Sequence, residues 1–194
     1  MGTPPDPELM TAEDLLRLPE DGNRYELSRG TLIVLSLASY WSSMAAAAIA
    51  SKVGTFVRDH RLGVVAGADG GMLLERDPDT LRAPAVSFAR RDRIPVDLKR
   101  GGFICVAPDL AIEVLSPSDR MVEVNRTIRD YFLAGTRLVW VIDPDDRSAL
   151  VYHADRPVEI VGPDGTIDGE NVLPGFSLLL AELWSELDDE LATP

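Results

Sequence analysis

"PDLAIEVLSPSDRMVEVNRTIRDYFLAGTRLVWVIDP", residues 108–144, is the stretch that decides the fold. Its opening alternates as a strand does, from about 109 to 115, and is entered through Pro108. The periodicity then turns helical, with Asp119 at the start and Gly135 as the stop signal. "TRLVWVIDP" follows as a strongly apolar strand closed by Asp-Pro. Strand, helix and strand make one βαβ step, and "RSALVYHA" (147–154) reads as the hairpin partner of its second strand.

Outward from that step the pattern is mixed. Residues 1–10 carry three prolines and no periodicity, and read as a tail. "TAEDLLRLP" (11–19) reads as a short helix capped by Thr11, with Pro19 beyond its end. "NRYELSRGTLIVLS" (23–36) reads as two strands joined at Arg29-Gly30. A long alanine-rich helix is expected from about 40 to 60, with Ile49, Val53, Phe56 and Val57 on a core-facing side. Strands are expected at 63–67, 71–75 and 83–89, and "LLLAELWSELDDEL" (178–191) as a closing amphipathic helix. The sum is an α/β domain over 11–194, with a mixed central β-sheet flanked by helices. Trp140 belongs to the core, whereas His60 and His153 have surface roles. Trp184, Leu180, Leu183 and Leu187 form one helical face, which either seals the domain or meets another copy in a homodimer.

Composition narrows the function. There are 32 Asp and Glu against 19 Lys and Arg, a formal net charge of −13. Nucleic acid is repelled on average by such a chain, so a DNA partner requires a local basic patch. The one net-positive block, "RRDRIPVDLKRGG" (90–102), offers Arg90, Arg91, Arg93, Lys99 and Arg100. It reads either as a phosphate-tracking edge or as a solvated loop. Cys105 is the single cysteine, which excludes a disulfide framework and reads as a buried thiol in a reducing cytoplasm. "MAAAAIA" (44–50) is too short for a membrane span, so the expectation is a soluble, cytoplasmic protein without membrane contact.

Side-chain alternation puts Asp109, Ala111, Glu113 and Leu115 on one strand face. Two carboxylates among apolar neighbours need partners. A divalent cation is one solution. The other has Asp109 capping a turn after Pro108 and Glu113 pairing with an arginine.

Four stretches in order, "MTAEDLLRLPEDGNRYELSRGTLIVLS", "PDLAIEVLSPSDR", "YFLAGTRLVWVIDP" and "VLPGFSLLLAELW", resemble the Uma-type restriction-endonuclease family, a branch of the PD-(D/E)XK nuclease superfamily. The resemblance runs from about residue 10 to 184 and implies a restriction-endonuclease-like fold whose sheet holds two acidic residues and a lysine around Mg²⁺. There the carboxylates hold the cation, which stabilises charge on the scissile phosphate of DNA and lowers the pKa of an attacking water. Carried over by residue, the resemblance makes Glu26 and Glu113 catalytic, and Asp109 and Glu113 metal ligands.

The match is partial. The position two after Glu113 is Leu115, not lysine. The family's lysine on the next helix, one turn before the tyrosine, falls on Thr127. Its "R-x-P-D-V-x-F" reads "RAPAVSF" here, with Ala85 in place of the acid, and no histidine stands near Tyr40-Trp41-Ser42. Asp77, Asp79 and Arg126 are the nearby residues to which lost roles would have to move. The resemblance therefore implies either an Mg²⁺-dependent DNA endonuclease with a degraded site, or a non-catalytic descendant that binds nucleic acid or protein.

Overall fold

A computed structural model describes residues 9–19, 21–68, 70–96, 98 and 101–192. The chain opens with α1 (Ala12–Leu15), whose Thr11 and Asp14 form a reciprocal capping box. β1 (Arg24–Ser28) and β2 (Thr31–Leu35) pair antiparallel around Arg29 and Gly30. Both turn residues have positive φ, 51° and 75°, which matches the right-handed twist of the strands they join.

α2 (Tyr40–Asp59) begins on Ser39, whose hydroxyl accepts from the Ser42 N–H. Ala45, Ile49, Val53 and Val57 recur every four residues, and this stripe is fully buried. There follow β3 (Gly63–Gly67), β4 (Met72–Glu75), β5 (Thr80–Arg82) and β6 (Val86–Arg90). The βαβ step is β7 (Leu110–Val114), α3 (Met121–Leu133) and β8 (Leu138–Asp143). β9 (Ser148–Tyr152), β10 (Glu159–Val161), β11 (Thr166–Asp168), β12 (Ser177–Leu179) and α4 (Leu180–Ala192) complete the chain.

The main sheet has the order β10-β9-β8-β7-β6-β3, and its sole parallel pair is β7 with β8. That pair is the one joined by a helix, as a parallel connection requires. One face buries Phe88, Leu110, Ile112, Leu138, Trp140 and Ile142 against α2 and α4. Trp184, Leu183 and Leu187 are spent in this core, so the closing helix seals the domain with its apolar face. The opposite face carries Ala111, Val139 and Val141 beneath Ile128 and Tyr131 of α3. A second, antiparallel sheet, β2-β1-β5-β4, packs Leu27, Leu73 and Leu81 on α1.

Three local expectations change. The strand expected at 83–89 starts later, at Val86 (β6), and β5, which ends at Arg82, is a separate strand in the small sheet. Asp119 does not cap α3; its carboxylate accepts from the Ser116 N–H, and Arg120 is the N-terminal boundary residue. Cys105 is exposed rather than buried, because it lies in the irregular segment before β7. No helix among the described residues is long and apolar enough to cross a membrane.

Candidate functional site

Where the chain passes from the small sheet to the large one, through Ala83-Pro84-Ala85, a cavity of about 410 Å³ opens between α2, α3 and the two sheets. Strand alternation decides what enters it. Leu27 and Leu81 are paired residues of β1 and β5 and turn into the small core. Their neighbours Glu26 and Arg82 therefore turn to the other side, where the Arg82 Nη1 donates to Glu26 Oε2 at 2.8 Å. The second oxygen of Glu26 accepts from the Ala83 N–H at 2.8 Å. Asp130 on α3 takes the rest of the guanidinium, from Nη2 at 2.5 Å and from Nε at 3.1 Å. All three charged residues are buried. Burial by itself pulls the Arg82 pKa down, but Glu26 and Asp130 outweigh it and hold the pKa above its ordinary value.

On β7, Leu110 and Ile112 face the main core, whereas Ala111 and Glu113 face α3. Glu113 lines the cavity, and its Oε1 accepts from the Tyr131 hydroxyl at 2.7 Å. Desolvation and the nearby charge of Glu26 push the Glu113 carboxyl up to about 8, against the pull of the Tyr131 hydrogen bond and Arg82. Thr127, one helical turn before Tyr131, also lines the cavity. So does Ala85, one step beyond the Val86–Ile112 pair that joins β6 to β7.

The structure thus brings Glu26, Glu113, Ala85 and Thr127 to one concavity, as the family resemblance implies. Asp109 is not among them. β7 begins one residue later, so Asp109 belongs to the opposite end of the strand. Its carboxylate accepts from the Arg90 N–H at 2.8 Å and pairs with Arg93 at 3.0 Å. Asp109 thus ties the start of β7 to the segment after β6 instead of capping a turn after Pro108, and it is not on the cavity wall. Glu113 meets a tyrosine instead of the alternative arginine.

Arg90, Arg91 and Arg93 lie at the far end of β6 from Ala85, about 17 Å along the strand at 3.3 Å per residue. Arg90 pairs with Asp92 at 2.9 Å. Lys99 and Arg100 lie outside the described residues. Asp79 is buried and accepts from the Ala12 N–H and Arg76, so it braces α1, and Arg126 pairs with Glu123 on its own helix. Where the resemblance expects a histidine, Ser39, Ser42 and Ser116 are hydrogen-bonded together, and Ser42 donates to the Leu115 carbonyl. These bonds pin the segment after β7 to the start of α2.

The buried Arg82 was missed by sequence reasoning, as was the Asp130–Arg82–Glu26 cluster it organises. Its partners stand 48 and 56 residues away, and no local spacing announces them. Among the described residues, no group of three or more His, Cys, Asp or Glu side chains could hold a metal ion.

Fold and cavity together define an α/β protein of the nuclease type. The profile of the Uma2 family, described as "Putative restriction endonuclease", matches residues 12–181, and the chain belongs to that family. Members of the restriction-endonuclease-like group generally use a divalent metal. Among solved structures, the chain is similar to one described as "a putative nuclease belonging to DUF820" from Anabaena variabilis ATCC 29413. The two share 25% identity and a TM-score of 0.78 over 92% of this chain and 99% of the other. No curated protein matches this chain.

Proposed function

We propose that this chain keeps the nuclease fold without metal-dependent DNA cleavage and uses it for binding. The observation that carries the reading is the methyl group of Ala85 beside Glu113, at the position where the family resemblance asks for a carboxylate. A small hard cation such as Mg²⁺ wants near-octahedral oxygen ligands with fixed geometry. Here both oxygens of Glu26 are engaged by Arg82 and the Ala83 N–H. Glu113 keeps one free oxygen, Asp119 and Glu123 on the cavity wall are engaged by the Ser116 N–H and by Arg126, and the hydroxyl of Thr127 is too short to neutralise a phosphate as a lysine would. The donor set does not fit the cation.

The same reading gives the basic segment no part in cleavage, since Arg90 and Arg93 are drawn to Asp92 and Asp109, across the sheet from the cavity. DNA bound there would be held away from Glu113. The apolar face of α4 is already in the core, so a homodimer would not form through it. The test is cleavage of supercoiled plasmid with 10 mM Mg²⁺ or Mn²⁺. The expected result is no nicking above that of a Glu113→Gln control. Glu113-dependent nicking would restore the endonuclease reading.

A further inference from the structure

Between Arg29 and Lys52 the chain carries no charged residue, although its net charge is −13. This neutral stretch holds β2 and more than half of α2. Part of it is spent in the core, through Ala45 and Ile49. Part is left in water: Val34 is 58% exposed, Leu37 81% and Tyr40 80%. A run of large apolar side chains left in water is the usual mark of a contact surface.

β2 is also an open sheet edge. Ser28 and Thr31 close the two-residue turn at Arg29-Gly30, and bonded pairs alternate from there, so Thr31, Ile33 and Leu35 bond to β1. The N–H and C=O groups of Leu32 and Val34 point away, and no other backbone group among the described residues bonds to them. The other edges of the two larger sheets offer less. Ile104 occupies the outer side of β4, accepting from the Leu73 N–H and donating to the Gly71 carbonyl. β10 has three residues, with Glu159 among them and Pro157 and Pro163 close by, and charge and proline both block strand pairing. β3 begins and ends on glycine and exposes one large apolar side chain, Val64.

Neutrality selects the occupant. Two copies of net charge −13 repel, and a twofold contact sets a surface patch against itself, so a patch of one charge sign meets its like. A neutral strand edge escapes that penalty, and antiparallel pairing about a twofold axis is self-complementary. We propose that β2 pairs antiparallel with the β2 of a second copy, joining the two small sheets into one and covering Val34, Leu37 and Tyr40. The contact does not depend on what the cavity holds. It does border the cavity, because Leu35 and Leu37 belong to the cavity wall as well.

The experiment is sedimentation equilibrium of the full chain, beside hydrogen exchange. A dimer is expected at micromolar concentration, and added NaCl should tighten it by screening the repulsion between copies. Val34→Glu and Leu37→Glu should each weaken it at least tenfold, whereas Ile160→Glu on β10 and Val64→Glu on β3 should change it less than twofold. Exchange needs no variant. The Leu32 and Val34 amides should slow as chain concentration rises, while those of Thr31, Ile33 and Leu35, already bonded to β1, should be slow throughout. A monomer at near-millimolar concentration overturns the proposal. So does a dimer weakened by Ile160→Glu or Val64→Glu but not by Val34→Glu and Leu37→Glu, or exchange at Leu32 and Val34 that ignores concentration. A monomer that binds phosphatidylcholine vesicles, and loses them on Tyr40→Glu, would give the neutral stretch to a lipid surface and overturn it equally.

Discussion

Arg82 donates to Glu26 across two neighbouring strands, at 2.8 Å and out of contact with solvent. The same guanidinium reaches Asp130 on α3, so one side chain ties the small sheet to the helix that roofs the large one. An intact buried pair adds little net stability over apolar packing, but removing one partner leaves a charge stranded. Arg82→Ala should therefore cost about 3–5 kcal/mol in urea unfolding. Arg82→Met together with Glu26→Gln should cost less than Arg82→Ala alone, because fewer uncompensated charges remain.

Tyr131 is a milder case. Its hydroxyl donates to Glu113 at 2.7 Å, and its ring is fully buried under β7 and β8. Tyr131→Phe keeps the packing and removes one hydrogen bond, an expected loss of about 1–2 kcal/mol by chemical denaturation. Tyr131→Ala also empties the ring's volume and should lose about 3–5 kcal/mol.

Stability should depend on pH through Glu113. Its carboxyl stands at about 8 in the folded chain against an ordinary 4.5. Between those two values the folded state keeps a proton that the unfolded state has released. Stability from this group is complete below 4.5 and is lost as pH rises through about 8. Melting temperatures measured across that window should fall more steeply for the wild type than for Glu113→Gln, which cannot ionise. Parallel curves for the two chains would contradict the assignment.

The carboxylate and the lysine that the family resemblance asks for can be supplied. Ala85→Asp with Thr127→Lys should restore divalent-cation binding and some plasmid nicking, while either change alone does little. Cation and ammonium act on the same developing charge, so their effects couple rather than add. Without metal, Asp at 85 stands beside Glu113 and repels it. The double variant should therefore melt lower in chelator than the wild type and recover with Mg²⁺. A melting temperature indifferent to Mg²⁺ would show that the cavity cannot be returned to cation chemistry.

What the sequence made legible was local. The βαβ step and the turn at Arg29-Gly30 follow from short-range periodicity and from backbone conformations that few residues adopt. The facing of Glu113 follows from alternation within β7. Asp109 misleads because alternation fixes a face and not a position along it: it stands four residues before Glu113, at the other end of the strand, where Arg90 and Arg93 hold it. The separate strand β5 and the late start of β6 were hidden for another reason. Pro84 marks the bend between them, but which sheet each strand joins is settled by partners as distant as Leu27 and Ile112. Arg82 was invisible as a site residue, since a lone arginine before a proline has no spacing to betray two carboxylates brought in by tertiary folding.

On the proposed reading, the cavity holding Glu113 does not accept a catalytic cation. Isothermal titration of the full chain with Mn²⁺, run beside Glu113→Gln and the Ala85→Asp, Thr127→Lys double variant, decides this. The expected result is no Glu113-dependent heat in the wild type up to millimolar metal, and clear binding in the double variant. Tight binding to the wild type that disappears in Glu113→Gln would overturn the reading.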